Sequence, residues 1–442
     1  MIFGAYFLII LLLVLLLYDY RSGIITCLIA VTNCGEFVYL NPNLEIGDFG
    51  GVGTIFFMDL FWVALGIIIM LKRHKLYLLN FKLSLLVLAV LFIISTVIPL
   101  LINSFSIKDY ISVIRPLGNF LFLPYLVITI TDMKALNFLE KSITFMLFFF
   151  IIVQVYEYVM QSRIPIRLLE RYSMFFGEDP FAVEFGGIKT GYIWSRVGAL
   201  LPFNLFFGFY YYFTDKRNYG LLLLGIYILS IMITLSRIWV IGFAFVLIVM
   251  TMFLISRKDH SIKVKLFALI GSFFLLGVIL LYASTTFNQI FDIFLLRINS
   301  INDLADKTDS SFLGREYILL QMISVWYEYP FLGAGFSSIS RRLVTNDLGF
   351  PNVVTIFGSA GIMMMTLFLI QFYKNLKPLI ESNYVLFASL FSIMMMLYFM
   401  SIFSIDMFYF NATGALLFAF GNIILNVAKQ SSDEDAGYNY AA

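Results

Sequence analysis

Apolar residues in this chain come in runs of about 20, one after another from the first residues to the last. Each run is long enough to cross the hydrocarbon core of a bilayer as a helix. The runs predict spans at about 2–19, 23–40, 54–71, 83–103, 112–131, 142–160, 196–213, 219–235, 238–256, 265–284, 352–372, 384–403 and 406–427. The second carries Asn33, Gly35 and Glu36 and reads equally as a re-entrant or half-buried piece, so the pattern predicts 12 or 13 helices. The first run has no basic residue ahead of it and no small-residue cleavage site behind it, which predicts a retained helix. The predicted fold class is an all-α polytopic membrane protein: a single helical domain over 1–430, followed by a disordered tail over 431–442.

Composition agrees. Charged residues make up 13% of the chain and hydrophobic ones 61%, with a mean hydropathy of +0.94. A soluble domain carries about twice that charge, which excludes water as the main solvent of this fold. The cysteines Cys27 and Cys34 are seven positions apart. A helix holds such a pair about 10 Å apart, beyond disulfide reach, so both read as small packing residues. His74 and His260 each sit in a basic cluster, and no metal site is expected.

Charge placement is more informative than the net charge of +2. Basic clusters at 72–75, 132–141, 214–218, 256–265 and 373–377 fall on one side when the intervening spans are counted, and that side is the cytoplasm under the positive-inside bias. The opposite side receives two long connections, about 161–195 and 285–351. Connections of that length are usually functional or disordered. In the second, Ile318, Leu319, Met322, Val325 and Trp326 line one helical face, whereas Tyr317, Gln321, Ser324 and Glu328 line the other. That predicts an amphipathic helix on the membrane surface or over a cavity, ended by the "YPFLGAG" turn.

Against the positive-inside bias, the same outer side holds Arg163, Arg167, Arg171, Arg196, Arg297, Arg315, Arg341 and Arg342. Arg237 lies between two apolar stretches, where a charge is costly unless paired. Headgroup pairing explains any one of these. Several converging on one point would suit a diphosphate, because guanidinium forks grip phosphate oxygens and keep their proton. Within the spans, Asp59 and Arg115 either form a structural ion pair or Arg115 joins the outer site.

Three blocks carry a family likeness: "SRVGALLPFNLFFGFY" (195–210), "TLSRIWVIG" (234–242) and "GREYILLQMISVWYEYPFLGAGFSS" (314–338). In their order and spacing the chain resembles the O-antigen polymerase and O-antigen ligase superfamily of bacterial envelope glycosyltransferases. The resemblance implies a GT-C-like transferase at the periplasmic face of the inner membrane. Its substrate would be an oligosaccharide on undecaprenyl diphosphate, and it would need no cofactor, no metal and no nucleic acid. It also implies a separate chain-length regulator as a partner. Carried over residue by residue, the diphosphate arginines are Arg237 and Arg315, with Arg196 a third match. Arg341 and Arg342, from the outward-facing arginines, and Asn352 are further candidate substrate contacts.

One departure matters. Family ligases, and many of the polymerases, place a His-Asn pair before a Gly-x-x-Gly helix start, whereas here "NDLGFPNVVTIFGSAGI" (346–362) keeps Asn352 behind Pro351. Either no general base is needed or a carboxylate serves, Asp347 first and Glu316 second. The missing histidine favours a polymerase over a ligase that passes glycan to lipid A core. A flippase for lipid-linked sugars is the reading from another class. The two long outer connections weigh against it.

Overall fold

The computed structural model describes the chain from residue 10 onward, apart from 12–13, 15, 17–18, 33–44, 49–53, 161–182, 186–187, 191–199, 215, 235–236, 258, 283–309, 345–347, 404–412 and 440–442. The helices are α1 (Tyr20–Thr32), α2 (Phe57–Leu71), α3 (Lys82–Leu101), α4 (Ile107–Ile114), α5 (Phe122–Thr129), α6 (Met133–Met160), α7 (Leu201–Phe213), α8 (Arg217–Thr234), α9 (Arg237–Ile255) and α10 (His260–Tyr282). They continue as α11 (Ser310–Glu328), α12 (Ser338–Leu343), α13 (Gly349–Leu376), α14 (Leu379–Ser382), α15 (Tyr384–Phe403) and α16 (Thr413–Asn439). Short 3₁₀ segments, Arg73–Leu78 and Arg115–Leu121, join α2 to α3 and α4 to α5. Two antiparallel ribbons, β1 (Glu45–Asp48) with β2 (Thr54–Phe56) and β3 (Val183–Phe185) with β4 (Ile188–Thr190), are small additions to an all-α polytopic membrane protein.

Among the described residues six helical stretches are long and apolar enough to cross a membrane: Lys82–Leu101, Ile107–Thr129, Met133–Tyr156, Ile238–Ile255, Gly349–Leu376 and Tyr384–Ile402. Four shorter apolar helices join them: Tyr20–Ile29, Asp59–Leu71, Arg217–Ile231 and Thr413–Val427. Most of the expected spans therefore coincide with a helix, but 12 or 13 long ones are not found among the described residues. Helix α7, with 13 residues, spans about 20 Å, short of the roughly 30 Å of hydrocarbon. The expected domain boundary at about residue 430 falls inside α16.

The chain divides into two compact units. The first comprises residues 1–143, 317–378 and 400–442. Its core is aromatic: the Phe81 and Phe418 rings meet edge to face at 5.2 Å, and Phe368 lies 5.4 Å from Phe418. Polar ties pin the helices in register. The Ser84 hydroxyl donates to Gln371 at 2.6 Å, and the amides of Asn422 and Asn426 both donate to the Leu78 carbonyl, at 3.1 and 3.0 Å. Backbone groups freed at the end of the 3₁₀ segment thus find partners on α16, as a membrane interior demands.

The second unit comprises residues 144–316 and 379–399. Every residue of α7 except Tyr210 is buried. Helices α7 and α8 approach closely at Gly208 and Gly220: a Cβ on Gly220 would collide with the Tyr212 backbone nitrogen and lie 2.7 Å from the Gly208 carbonyl. Small residues at such crossings are how membrane helices gain contact without a hydrophobic driving force. The Lys265 ammonium donates to the Phe213 carbonyl at 3.0 Å, closing the C-terminus of α7.

Candidate functional site

The "YPFLGAGFSS" segment does more than end a helix. Helix α13 is broken at Gly358, whose φ of 61° and ψ of −152° lie outside any helical region. In an unbroken helix the Ser359 and Ala360 amides would donate to the Thr355 and Ile356 carbonyls. Here the Ser359 amide donates to the Pro330 carbonyl at 2.9 Å and the Ala360 amide to Phe331 at 3.1 Å. In return Ala334 donates to Thr355 at 2.8 Å and Gly335 to Ile356 at 3.0 Å. The loop is spliced into the helix, and these two amides and two carbonyls at the break are paired across it.

The same loop mends a second defect. Pro99 lies inside α3 and has no amide hydrogen, so the Ser95 carbonyl one turn earlier loses its helical donor. The Phe336 amide supplies one at 2.9 Å. Phe336 is fully buried, with its ring 5.2 Å from Phe92, 5.7 Å from Tyr110 and 6.0 Å from Phe357. Gly333 and Gly335 both have positive φ, 66° and 63°. A Cβ on Gly335 would lie 2.6 Å from the Ser95 carbonyl, so glycine is required for space as well as conformation.

Helix α11 leads into this loop. Met322 and Val325 pack with Ala334, Leu343 and Leu348, and Ile318 joins at the margin. Trp326, expected on the same face, lies at its edge. Its indole donates to the Pro330 carbonyl and the Ser359 hydroxyl, at 3.1 and 3.2 Å, and clamps the splice. The opposite face exposes Tyr317, Leu320 and Tyr327. It is thus more apolar than the expectation of a polar outer face, because Leu320 and Ile323 interrupt the polar stripe.

The candidate arginines fall in different places. Arg315 is on the first part of α11, and Arg237 is the first residue of α9; both side chains lie outside the described part of the structure. The start of α9 is held by Tyr227 of α8, whose hydroxyl donates to the Trp239 carbonyl at 3.0 Å in a fully buried contact. Arg341 and Arg342 are exposed in the last turn of α12, where cations suit the helix dipole. The Ser337 hydroxyl caps that helix by accepting from the Ser340 amide at 3.2 Å. Glu316 is half-buried on α11, and Asn352, in the first turn of α13, is wholly buried. Arg196 and Asp347 lie outside the described residues, as do Arg163, Arg167, Arg171 and Arg297.

Of the two roles open to Arg115, the structure gives the ion pair. Its guanidinium donates to both Asp59 oxygens, at 2.7 and 2.9 Å, with each side chain about a quarter exposed.

Residues 221–355 match the O-antigen ligase family model. Family members are glycosyltransferase-like enzymes of envelope glycan assembly, and the match bears out the likeness to the O-antigen ligase and polymerase superfamily over this segment. The matched segment runs from α8 to the first turns of α13 and contains Arg237, Arg315, Glu316, Arg341, Arg342, Asp347 and Asn352; Arg196 precedes it. It ends at Thr355, whose carbonyl accepts from the spliced loop. Among curated proteins no match to the chain is found. Sequence reasoning missed the splice itself. Its traces were Pro99 inside an apolar run and the glycines of "GAG" and "GSAG".

Proposed function

We propose that the protein is an O-antigen polymerase, which transfers a growing glycan from undecaprenyl diphosphate to the non-reducing end of a lipid-linked repeat unit. The observation that carries this reading is the O-antigen ligase family match over the segment holding Arg237 and Arg315, combined with Pro351 where family ligases place histidine. Two predicted apolar runs separate each basic cluster from the next, which supports a common cytoplasmic side for the clusters and a periplasmic site on the inner membrane.

In the reaction, the bond between the anomeric carbon and the diphosphate oxygen breaks, and the acceptor hydroxyl oxygen takes its place. The hydroxyl proton passes to Asp347 or Glu316, or to water. Undecaprenyl diphosphate leaves with its charge held by Arg237 and Arg315, a GT-C-like mode in which guanidinium groups neutralise the leaving group. Arg196 extends the same grip. Arg341, Arg342 and Asn352 serve as substrate contacts, the two arginines exposed and Asn352 buried at the start of α13. A separate chain-length regulator sets product size.

The test is glycan synthesis by purified protein given lipid-linked repeat units. Wild type lengthens a ladder of products; Arg237→Ala and Arg315→Ala each slow it by about 10²–10³-fold, the effect of removing one transition-state donor. An unchanged ladder from folded variants overturns the site assignment. The family name favours one other reading, a ligase, and transfer to lipid A core in place of ladder growth would establish it.

A further inference from the structure

A cavity of about 1190 Å³ lies in the first unit, and none of the candidate arginines of the transfer reaction lines it. It runs beside α3 between two charged ends. One end holds Arg73 and His74, on the 3₁₀ segment after α2, and Lys82, the first residue of α3. The other end is closed by the Asp59–Arg115 pair, where the charges answer one another. Between them the wall is apolar, formed along α3 by Leu85, Leu86, Ala89, Phe92 and Ile93. Leu86 and Ile93 are more than half exposed, so the groove is open along its side.

Its dimensions and charges suit one kind of occupant. From Lys82 to Ile93 a helix rises about 16 Å, close to half the hydrocarbon thickness and hence one leaflet. Arg73, His74 and Lys82 have no carboxylate partner among the described residues. Lys72 and Lys75 add to the same cluster, and partial burial together with Lys75 pushes the Lys72 ammonium below its ordinary range. A cationic mouth above a one-leaflet apolar trough that is open along its side matches the chemistry of an anion with a tail.

We infer that this groove is a binding site for an anionic glycerophospholipid, with its phosphate at Arg73, His74 and Lys82 and its acyl chains along α3. Basic pockets between membrane helices at headgroup level are a known mode of phospholipid recognition. The inference does not depend on the polymerase reading, because neither Arg237 nor Arg315 takes part.

The test uses the full-length protein in nanodiscs of phosphatidylcholine doped with phosphatidylglycerol, with retained lipid read by native mass spectrometry after detergent release. Wild type should retain phosphatidylglycerol over phosphatidylcholine by about tenfold or more, since each cation near a headgroup contributes roughly threefold to tenfold. Arg73→Ala/His74→Ala/Lys82→Ala should lose the preference, whereas Lys374→Ala/Lys377→Ala should keep it. Ala89→Trp fills the trough without touching a charge and should abolish retention while glycan transfer continues. Equal retention of the two lipids by wild type overturns the site, as does a triple variant that holds phosphatidylglycerol as well as wild type. A polyprenyl phosphate co-purifying in the groove, or lipid exclusion by a segment of the chain itself, overturns the assigned occupant.

Discussion

Gly358 has a conformation that only glycine adopts without strain, and a Cβ there would lie 2.5 Å from the Phe331 backbone carbon. Gly358→Ala should therefore destabilise the first unit by about 1–3 kcal/mol, seen as a lower thermal midpoint in detergent. The Asp59–Arg115 pair makes a different case. With each partner about a quarter exposed, it lies between surface pairs worth almost nothing and buried pairs whose disruption is severe. Asp59→Asn should cost about 2 kcal/mol, and exchanging the two residues should recover part of the loss in the same unfolding measurement. At this scale the sequence was partly legible. It showed Asp59 and Arg115 as charges within spans that needed partners, yet left open whether they had each other, because apolar periodicity places a residue on a helix and says nothing of its cross-helix neighbour.

Helices were more legible than their interruptions. The runs 83–103 and 384–403 reappear as α3 and α15 almost to the residue, since about 20 apolar residues in lipid have few options other than a helix. The break in α13 was hidden for the same reason: Gly358 sits in a run whose composition never falters, and the groups that satisfy it lie more than 20 positions earlier. Pro99 offers a test of how the repair works. Pro99→Ala restores an amide that can donate to the Ser95 carbonyl, in competition with Phe336. Amide exchange at Phe336 should rise by up to about tenfold while α3 itself becomes more protected. Exchange at Phe336 that stays constant would show that its ring, rather than its amide, secures the loop. On α16, Asn422→Leu removes two of the hydrogen bonds that hold the 3₁₀ segment, to Asn80 and Leu78, and should lower the thermal midpoint more than Asn422→Gln.

For the whole molecule, composition and the spacing of apolar runs established an all-α polytopic membrane protein, and three short blocks pointed to a superfamily that the match over 221–355 supports. The candidate site was legible as a set of arginine positions. Its geometry was not, because guanidinium convergence depends on helix crossings that no local pattern encodes. Replacing Arg237 or Arg315 by lysine keeps the charge and removes the fork. Either change should leave transfer well below wild type in the ladder assay, while a lysine at exposed Arg341 should matter less.

The splice also has a bearing on how the chain is made. Pro330 to Gly335 emerge from the ribosome before Gly358 does, so the template is already waiting when the interrupted rod enters the translocon. The second half of that rod, from Ser359 onward, begins with amides that lipid cannot satisfy. Docking of those amides on the earlier segment therefore lets the second half of the rod enter lipid without unpaired groups, and Gly358→Ala, which hinders that docking, should lower the fraction of newly made chain that inserts into membranes.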